Sequence, residues 1–202
     1  MIKAIIFDVG GVLDKGGWKE HYLPMCKELK IDSYKFSESQ QKHIKKARVG
    51  KISTKQYISL IAKDMNVKPS LLLKSWIKWK KRALVKDKGV EKTIRKLKKR
   101  YIVGTLTNII ELHHKIRLKK NIYNLFDFKL CSHEQKLCKP QIKFYKLIFQ
   151  KLKKISPKET VFVDDWKDAL IPAKKLGMKT ILFKNNKQLI RDLIRLGVKI
   201  KK

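Results

Sequence analysis

Three observations predict an α/β fold with a helical insert. A short apolar run, Lys3 to Phe7, opens the chain and ends at Asp8 and a glycine pair. Four segments with three-to-four-residue apolar spacing follow, and none of them reads as a strand. After Lys86, strand-like and helix-like segments alternate to the end of the chain. This alternation predicts a parallel sheet with right-handed helical crossovers.

The first element is predicted to be a buried strand. Its run is apolar and rich in β-branched Ile, which suits a strand covered on both faces. Gly10 and Gly11 follow the strand and allow the chain a tight loop.

The next part of the chain, from about Lys15 to Lys86, is predicted to be a helical insert. Ser53 or Thr54, and also Ser70 behind Pro69, are residue types that cap helix N-termini. The four predicted helices cover residues 18–29, 37–48, 54–65 and 70–82.

Strands and helices then alternate. Strands are predicted at residues 101–106, 128–131, 160–163 and 180–183, with helices at 90–100, 112–121, 142–153, 167–176 and 188–196. In such sheets the functional site lies beyond the carboxyl ends of the strands. This rule selects Asp8, Thr107 and Asp164 before any motif is considered.

Length and composition indicate a globular chain in a reducing compartment. Its 202 residues, 43% of them apolar, suffice for one domain or a domain with an insert. The three cysteines, Cys26, Cys131 and Cys138, are odd in number and include no Cys-x-x-Cys pair, so neither a disulfide framework nor a zinc site is expected. No apolar run approaches the roughly 18 residues that span a bilayer. We expect a cytoplasmic protein without a membrane segment or signal peptide.

The formal net charge of +34 is extreme, and it allows two interpretations. Clustered cations are typical of nucleic-acid binding, because they release counterions from the polyanion. Here, however, basic residues outnumber acidic ones throughout: 19 to 7 up to residue 85 and 32 to 10 after it. Lys also far outnumbers Arg, the residue that suits specific phosphate forks. A nucleic-acid partner therefore stays open but is not favoured over solvated lysine faces.

Four polar clusters occur where predicted strands end. They are Phe7-Asp8-Val9-Gly10-Gly11-Val12-Leu13, then Gly104-Thr105-Leu106-Thr107-Asn108, then Ser132-His133-Glu134 with Lys139-Pro140, and finally Val161-Phe162-Val163-Asp164-Asp165. Each alone is ordinary for a loop or helix cap. The adjacent carboxylates of Asp164 and Asp165 are harder to dismiss, because they repel each other unless a cation lies nearby. Oxygen-rich sites of this kind suit Mg²⁺.

Together the clusters predict a mechanism. Asp8 is placed to attack an electrophilic phosphorus and form an aspartyl intermediate. Mg²⁺ held by Asp8 and Asp165 would neutralise charge on the nucleophile and the phosphate. Thr107 is suited to donate a hydrogen bond to a phosphoryl oxygen, and Lys139 to pair with phosphate and carboxylate.

The order, spacing and residue types of these motifs resemble the haloacid dehalogenase (HAD) superfamily of hydrolases, over nearly the whole chain. Asp8 lies in the first motif, Thr107-Asn108 in the second, Ser132-x-Glu134 with Lys139-Pro140 in the third, and Asp164-Asp165 in the fourth, with Ala173 and Gly177-Met178 behind it. The resemblance implies a Rossmann-like core, residues 1–14 and 87–202, with a helical cap at 15–86. Gly50-Lys51-Ile52-Ser53 also looks like a cap segment common in these proteins.

The predicted site follows from the residues and the resemblance together. The predicted catalytic residues are Asp8, Thr107 and Lys139, and the predicted substrate-binding residues are Thr107, Asn108 and Lys139. The predicted magnesium ligands are Asp8, the backbone carbonyl of Gly10, Asp164 and Asp165.

Three departures from the family pattern stand out. Family phosphatases usually carry a second Asp two residues after the nucleophile, as general acid and base, and here that position is Gly10. Such a group typically contributes on the order of a hundred- to ten-thousand-fold in rate, so slow turnover is expected. Ala169 stands where relatives often have Asn or Asp, with Asp168 one position away as a substitute. Lys136 stands where a Gly is usual.

The favoured hypothesis is a Mg²⁺-dependent phosphatase that acts on a small phosphate ester through an aspartyl phosphate. A 2-haloacid dehalogenase would not need the missing Asp, but it needs no metal either, and the Asp164-Asp165 pair indicates one. A non-enzymatic or weakly active polyanion- or RNA-binding protein is the third hypothesis, in keeping with the charge and the missing acid. The adjacent His113 and His114 are expected at the surface of a helix. Substrate identity and oligomeric state are not encoded in any readable motif.

Overall fold

The computed structural model describes residues 1–200, and it confirms the predicted α/β fold. Five parallel strands form one sheet in the order β3-β2-β1-β4-β5. The strands are β1 (Ala4–Phe7), β2 (Ile102–Thr107), β3 (Phe128–Cys131), β4 (Thr160–Asp164) and β5 (Lys179–Leu182). Each lies within one or two residues of its predicted range, because apolar runs bounded by turn residues are a strong signal for buried strands.

Helices fill the connections between strands. Those between β1 and β2 are α1 (Leu23–Leu29), α2 (Ser33–Arg48), α3 (Thr54–Asp64), α4 (Pro69–Ala83) and α5 (Lys88–Leu97), with a single π-helical turn at Trp18–Tyr22 before α1. The later ones are α6 (Glu111–Lys119), α7 (Ser132–Gln135), α8 (Ile142–Leu152), α9 (Lys167–Lys175) and α10 (Asn186–Arg195), with 3₁₀ turns at Tyr123–Leu125 and Pro157–Glu159.

Two of the helix starts that differ from the sequence prediction are explained by their N-caps. α2 begins at Ser33, four residues earlier than expected, because the Asp32 side chain accepts a hydrogen bond from the Lys35 N–H and caps the helix. α4 begins at Pro69, with Lys68 at the N-cap, so Ser70 is not the cap. Proline suits the first helical position, since its missing N–H would have no partner there. The predicted cap at Ser53 is confirmed, with Gln56 completing a capping box.

The two chain segments that join the insert to the sheet run side by side. The Lys15 N–H donates to the Val85 carbonyl at 3.2 Å, and the Asp87 N–H donates to the Leu13 carbonyl at 2.8 Å. Helices α1 to α4 lie beyond this crossing, whereas α5 packs against β2 and α10. We use the name cap for residues 15–86, as predicted from the sequence.

One apolar core runs from the sheet into the cap. Alternate residues of β1 face opposite sides, and Ile5 and Phe7 belong to the same buried cluster as Phe36, Tyr57 and Trp76 of the cap. The other face of β1 packs on α8 and α9 in a second cluster. Cap and sheet are therefore held together by shared apolar burial. Within residues 1–200, no helix combines the length and apolar character needed to cross a lipid bilayer.

Candidate active site

Strand order brings the predicted residues to one edge of the sheet. β1 lies between β2 and β4, and Phe7 is in register with both Thr105 and Val163. Because all three strands are parallel, their carboxyl ends meet there. Asp8 follows β1, Thr107 ends β2, and Asp164 ends β4.

Lys139 joins two of the carboxylates. Its Nζ lies 2.6 Å from Asp164 Oδ2 and 3.1 Å from Asp8 Oδ1, with the lysine side chain only 2% exposed. The contact with Asp164 is a hydrogen bond, whereas the contact with Asp8 has the distance of an ion pair without hydrogen-bond orientation. Asp8 Oδ1 is thus a buried oxygen without a hydrogen-bond partner.

Asp165 completes an acidic cluster. Carboxylate oxygens of Asp8, Asp164 and Asp165 lie within 4.8 Å of one another. Gly11 makes this approach possible: its φ is +74°, and a Cβ there would stand 1.9 Å from Asp165 Oδ2. Any side chain at position 11 would therefore displace the Asp165 carboxylate from the β1 loop.

The charges in this cluster do not balance. Three carboxylates surround one lysine, and burial, opposed by Lys139, raises the pKa of Asp164 to about 6. Burial and the charge of Asp8 also raise the pKa of Asp165. For Lys139 burial would lower the pKa, but Asp8 and Asp164 overcome it and raise the pKa, so the lysine stays charged.

The cluster fits a magnesium ion. It offers hard oxygen ligands, an excess of negative charge and one buried carboxylate oxygen, Asp8 Oδ1, that lacks a hydrogen-bond partner. The carboxylate of Asp164 has less capacity left to bind a metal than those of Asp8 and Asp165. Its Oδ1 accepts a hydrogen bond from the Trp166 N–H at 2.9 Å, and its Oδ2 accepts one from Lys139. Asp8 and Asp165 are the better-placed ligands of the predicted set.

Asn108 holds Lys139 in place. Its amide donates to the Lys139 carbonyl at 3.0 Å and accepts the Lys139 N–H at 2.8 Å. Ser132 similarly bonds both the N–H and the carbonyl of Ile109 through one buried hydroxyl. These two clamps lock the loop after β2 to the segment after β3. The side-chain amide of Asn108, which is predicted to bind substrate, is thus hydrogen-bonded to the Lys139 backbone through both its nitrogen and its oxygen.

Gly10 faces a second buried charge cluster that the sequence did not reveal. Asp14 accepts hydrogen bonds from Arg117 Nη2 at 3.0 Å and Lys80 Nζ at 3.2 Å, and all three side chains are at most 6% exposed. A Cβ built on Gly10 would lie 3.4 Å from Arg117 Nη2. The space beside Gly10 is thus bordered by a guanidinium, which also lies 3.4 Å from the Thr107 hydroxyl.

The other departures from the family pattern are also accounted for. Lys136 adopts a left-handed conformation with φ of 54°, which explains why glycine is usual at that position. Asp168 is exposed in the first turn of α9 and is not one of the carboxylates of the cluster, whereas Ala169 is buried.

The prediction that His113 and His114 lie at the surface is wrong. His113 Nε2 accepts a hydrogen bond from the Trp76 indole at 2.9 Å, and His114 is 4% exposed beside Tyr123. The cap covers His113 through Trp76, whereas His114 packs on Tyr123 and His133 of the core. Helical spacing alone does not predict which neighbours cover a helix face. The cluster of Asp14, Lys80 and Arg117 is not predicted for a related cause, because its members are distant in the chain and no local pattern connects them.

Fold and site define a class of protein: a parallel α/β domain with a helical insert between its first two strands and an acidic cluster at the strand ends. The family model described as haloacid dehalogenase-like hydrolase matches residues 5–183. The chain belongs to this family, and the resemblance seen in its four motifs is confirmed.

Solved structures agree in fold. A HAD family enzyme from Bacteroides thetaiotaomicron is 26% identical, with 91% of this chain and 94% of that chain covered and a TM-score of 0.76. The same enzyme with magnesium and inorganic phosphate aligns at 25% identity and a TM-score of 0.74, over 91% and 95% of the chains. A HAD-like hydrolase from Porphyromonas gingivalis, at 19% identity, 98% and 99% coverage and a TM-score of 0.81, shows the shared fold.

Curated relatives match over a shorter segment. Bifunctional epoxide hydrolase 2 of Rattus norvegicus is 38% identical over 68 residues, and that of Sus scrofa is 40% identical over the same length. These segments cover 34% of this chain and only 12% of each relative. The matched region is therefore a small part of those longer proteins.

Proposed function

We propose that the protein is a Mg²⁺-dependent phosphatase that hydrolyses a small phosphate ester through a phosphorylated Asp8. The observation that carries this proposal is the buried cluster in which Lys139 bridges Asp8 and Asp164 while Asp165 stands within 4.8 Å. The magnesium and phosphate in the Bacteroides thetaiotaomicron enzyme support it.

Asp8 is the nucleophile in this account. Its carboxylate attacks phosphorus, the bond to the ester oxygen breaks, and water later hydrolyses the acyl phosphate. Lys139 keeps Asp8 oriented and offsets the charge of the phosphoryl oxygens, and the Thr107 hydroxyl donates a hydrogen bond to one of them. Mg²⁺, bound chiefly by Asp8 and Asp165 together with the Gly10 carbonyl, would supply charge neutralisation and Lewis acidity.

Arg117 supplies positive charge beside the position where the missing Asp would lie. Its guanidinium lies beside the Cβ position of Gly10 and next to Thr107, where it offers fixed positive charge to the phosphoryl oxygens or the leaving oxygen. Burial would lower the pKa of Arg117, but the charges of Asp14, Tyr123 and Asp8 raise it, so this group does not act as a proton donor. Esters with good leaving groups, which need no protonation, should therefore be the best substrates.

The test is hydrolysis of p-nitrophenyl phosphate and of a panel of metabolite phosphates, with and without magnesium. We expect turnover that is lost on chelation and restored by Mg²⁺. Asp8→Asn should reduce turnover to background, because an amide cannot attack phosphorus. Asp168→Asn, an isosteric change at an exposed carboxylate outside the cluster, is the matched control and should keep wild-type rates.

Other outcomes would favour the alternative hypotheses. Hydrolysis of 2-haloacids that survives complete chelation would indicate a dehalogenase. Salt-dependent binding of nucleic acid, unchanged in Asp8→Asn and without any phosphatase turnover, would indicate a polyanion-binding protein. Phosphatase turnover that persists in Asp8→Asn would overturn the proposal.

A further inference from the structure

A cavity of about 410 Å³ opens beside the catalytic cluster, between cap and sheet. Its core wall includes Asn108 of the second motif, Lys139 of the third, and Trp166, which directly follows the fourth. Its cap wall is the end of α2 and the loop after it. Lys139 lines this cavity and also pairs with Asp8, so the cavity lies next to the reacting groups.

The cap wall is strongly basic. Lys45, Lys46, Arg48 and Lys51 line the cavity, and it has no acidic lining residue. Elsewhere the scarce carboxylates pair with lysines, as in Lys78–Glu28, Lys115–Glu111 and Lys129–Glu134. Across residues 1–200, no such ion pair involves any of the four cavity cations.

Gly50 fixes this basic segment over the site. Its φ is +64°, and a Cβ there would lie 2.5 Å from the carbonyl of His133, one residue after the Ser132 clamp. The loop after α2 is therefore pressed against the core backbone next to the third motif. Burial raises the pKa of the Cys138 thiol on the core wall, and the positive charges of Arg48 and Lys45 on the cap wall oppose that rise.

Part of this basic wall also has a structural explanation. Cations near a helix C-terminus stabilise it through the helix dipole, and Lys45, Lys46 and Arg48 lie in the last turn of α2. That effect accounts for basic residues at this helix end. The helix dipole does not account for Lys51, which lies beyond the helix. Nor does it account for a cavity lining without acidic residues that also includes Lys139.

We infer that this basic cavity binds a second anionic group of the substrate, so that the substrate is a phosphate monoester with an additional phosphate or carboxylate. This inference rests on the proposed function. Trp166, 43% exposed at the rim, offers an apolar surface for the carbon skeleton between the two anionic groups. The cavity volume suits a metabolite-sized molecule.

The test compares substrates that differ only in the second anion: 3-phosphoglycerate against glycerol 3-phosphate, and fructose 1,6-bisphosphate against fructose 6-phosphate. We expect kcat/KM to favour the doubly anionic member by about tenfold or more in at least one pair. Arg48→Gln should bring that ratio close to one. Lys42→Gln removes the same charge from the same helix but lies outside the cavity, and it should leave the ratio unchanged.

Binding separates this inference from the proposed function. Dissociation constants of the same four compounds for the Asp8→Asn protein, measured by calorimetry with Mg²⁺ present, report the cavity without turnover. If the wild type hydrolyses both members of each pair equally, or if Asp8→Asn binds them equally, the inference is overturned while the phosphatase proposal stands. If nothing is hydrolysed but Asp8→Asn still prefers the doubly anionic compounds in an Arg48-dependent way, the cavity inference stands and the phosphatase proposal fails.

Discussion

At the scale of single residues, Gly10 and Arg117 define the space where a second Asp of the first motif would lie. Gly10 does not need glycine for backbone reasons, since its φ is not among the positive values, in contrast to Gly11. A side chain at position 10 would meet Arg117 Nη2 at 3.4 Å from its Cβ, which is ordinary contact. Neither the backbone conformation nor the available space therefore excludes a side chain at position 10.

This geometry predicts a non-additive pair of substitutions. Gly10→Asp alone should preserve kcat within about threefold, because the new carboxylate would pair with Arg117 and remain ionised. In the double variant Gly10→Asp/Arg117→Gln, the carboxyl is no longer paired with Arg117 and can act as a general acid. Its kcat should therefore exceed that of Arg117→Gln alone by at least about tenfold, which is less than the full effect of a general acid. Steady-state kinetics of the four proteins gives the coupling directly.

Two results would contradict this account of Arg117. One is a hundredfold gain from Gly10→Asp alone. The other is wild-type kcat in Arg117→Gln. Circular dichroism of each variant is needed as a control, because Arg117 removal leaves Asp14 paired only with Lys80.

The sequence predicts those site residues that directly follow or end a strand. Asp8, Thr107 and Asp164 are predicted because the carboxyl ends of parallel strands meet at one edge of the sheet. This rule applies to any chain in which strands and helices alternate. The buried pairing of Asp14 with Lys80 and Arg117 joins residues 66 and 103 positions apart. No local pattern encodes such a contact, so it was not predicted.

At the scale of elements, the docking of the cap on the core positions the basic cavity. Trp76 of α4 donates its indole N–H to His113 of α6, and Gly50 after α2 presses on the His133 carbonyl. Apolar spacing predicts the long helices correctly, but it does not predict the short helix α7 or the π-helical turn at Trp18–Tyr22. The face that each helix buries depends on its partner. This is why His113 and His114 were assigned to the surface.

A pair of glycine substitutions tests the Gly50 contact. Gly50 and Gly197 both have positive φ, 64° and 79°, but a Cβ at Gly197 meets nothing within 4 Å. Gly197→Ala should therefore cost only the backbone strain, about 1–2 kcal/mol. Gly50→Ala should lower the free energy of unfolding by at least about 1 kcal/mol more, because its Cβ would collide with backbone.

Urea unfolding of the two variants measures this difference. Equal costs for Gly50→Ala and Gly197→Ala would show that the loop after α2 is not pressed against the core. A larger cost at Gly50 with raised KM for anionic substrates would also connect cap docking to the basic cavity.

At the scale of the whole molecule, the net charge of +34 acts on every anion that approaches. Basic residues are spread over both halves of the chain, so the field is broad and adds to the local effect of the cavity cations. The composition leaves an anionic partner open but does not favour one over solvated lysine faces. It did not distinguish a metabolite from a polymer, because charge alone contains no information on shape.

This field predicts a dependence on ionic strength. Raising it from about 0.01 M to about 0.1 M shortens the screening length from about 30 Å to about 10 Å. We expect kcat/KM for an anionic phosphate ester to fall several-fold while kcat changes little, because screening affects encounter more than the bound complex. Stopped-flow or steady-state assays at constant Mg²⁺ measure both quantities. A constant kcat/KM would show that the global charge is irrelevant to substrate capture.

The most direct test of the central claim is to trap the covalent intermediate on Asp8. Acid quenching during turnover of a phosphate ester, followed by peptic digestion and mass spectrometry, should find one phosphoryl group on the peptide that contains Asp8, and none in Asp8→Asn. A phosphoryl group on a different residue would contradict the account. So would full turnover with no labelled peptide in the wild type, together with an Asp8→Asn protein as active as the wild type.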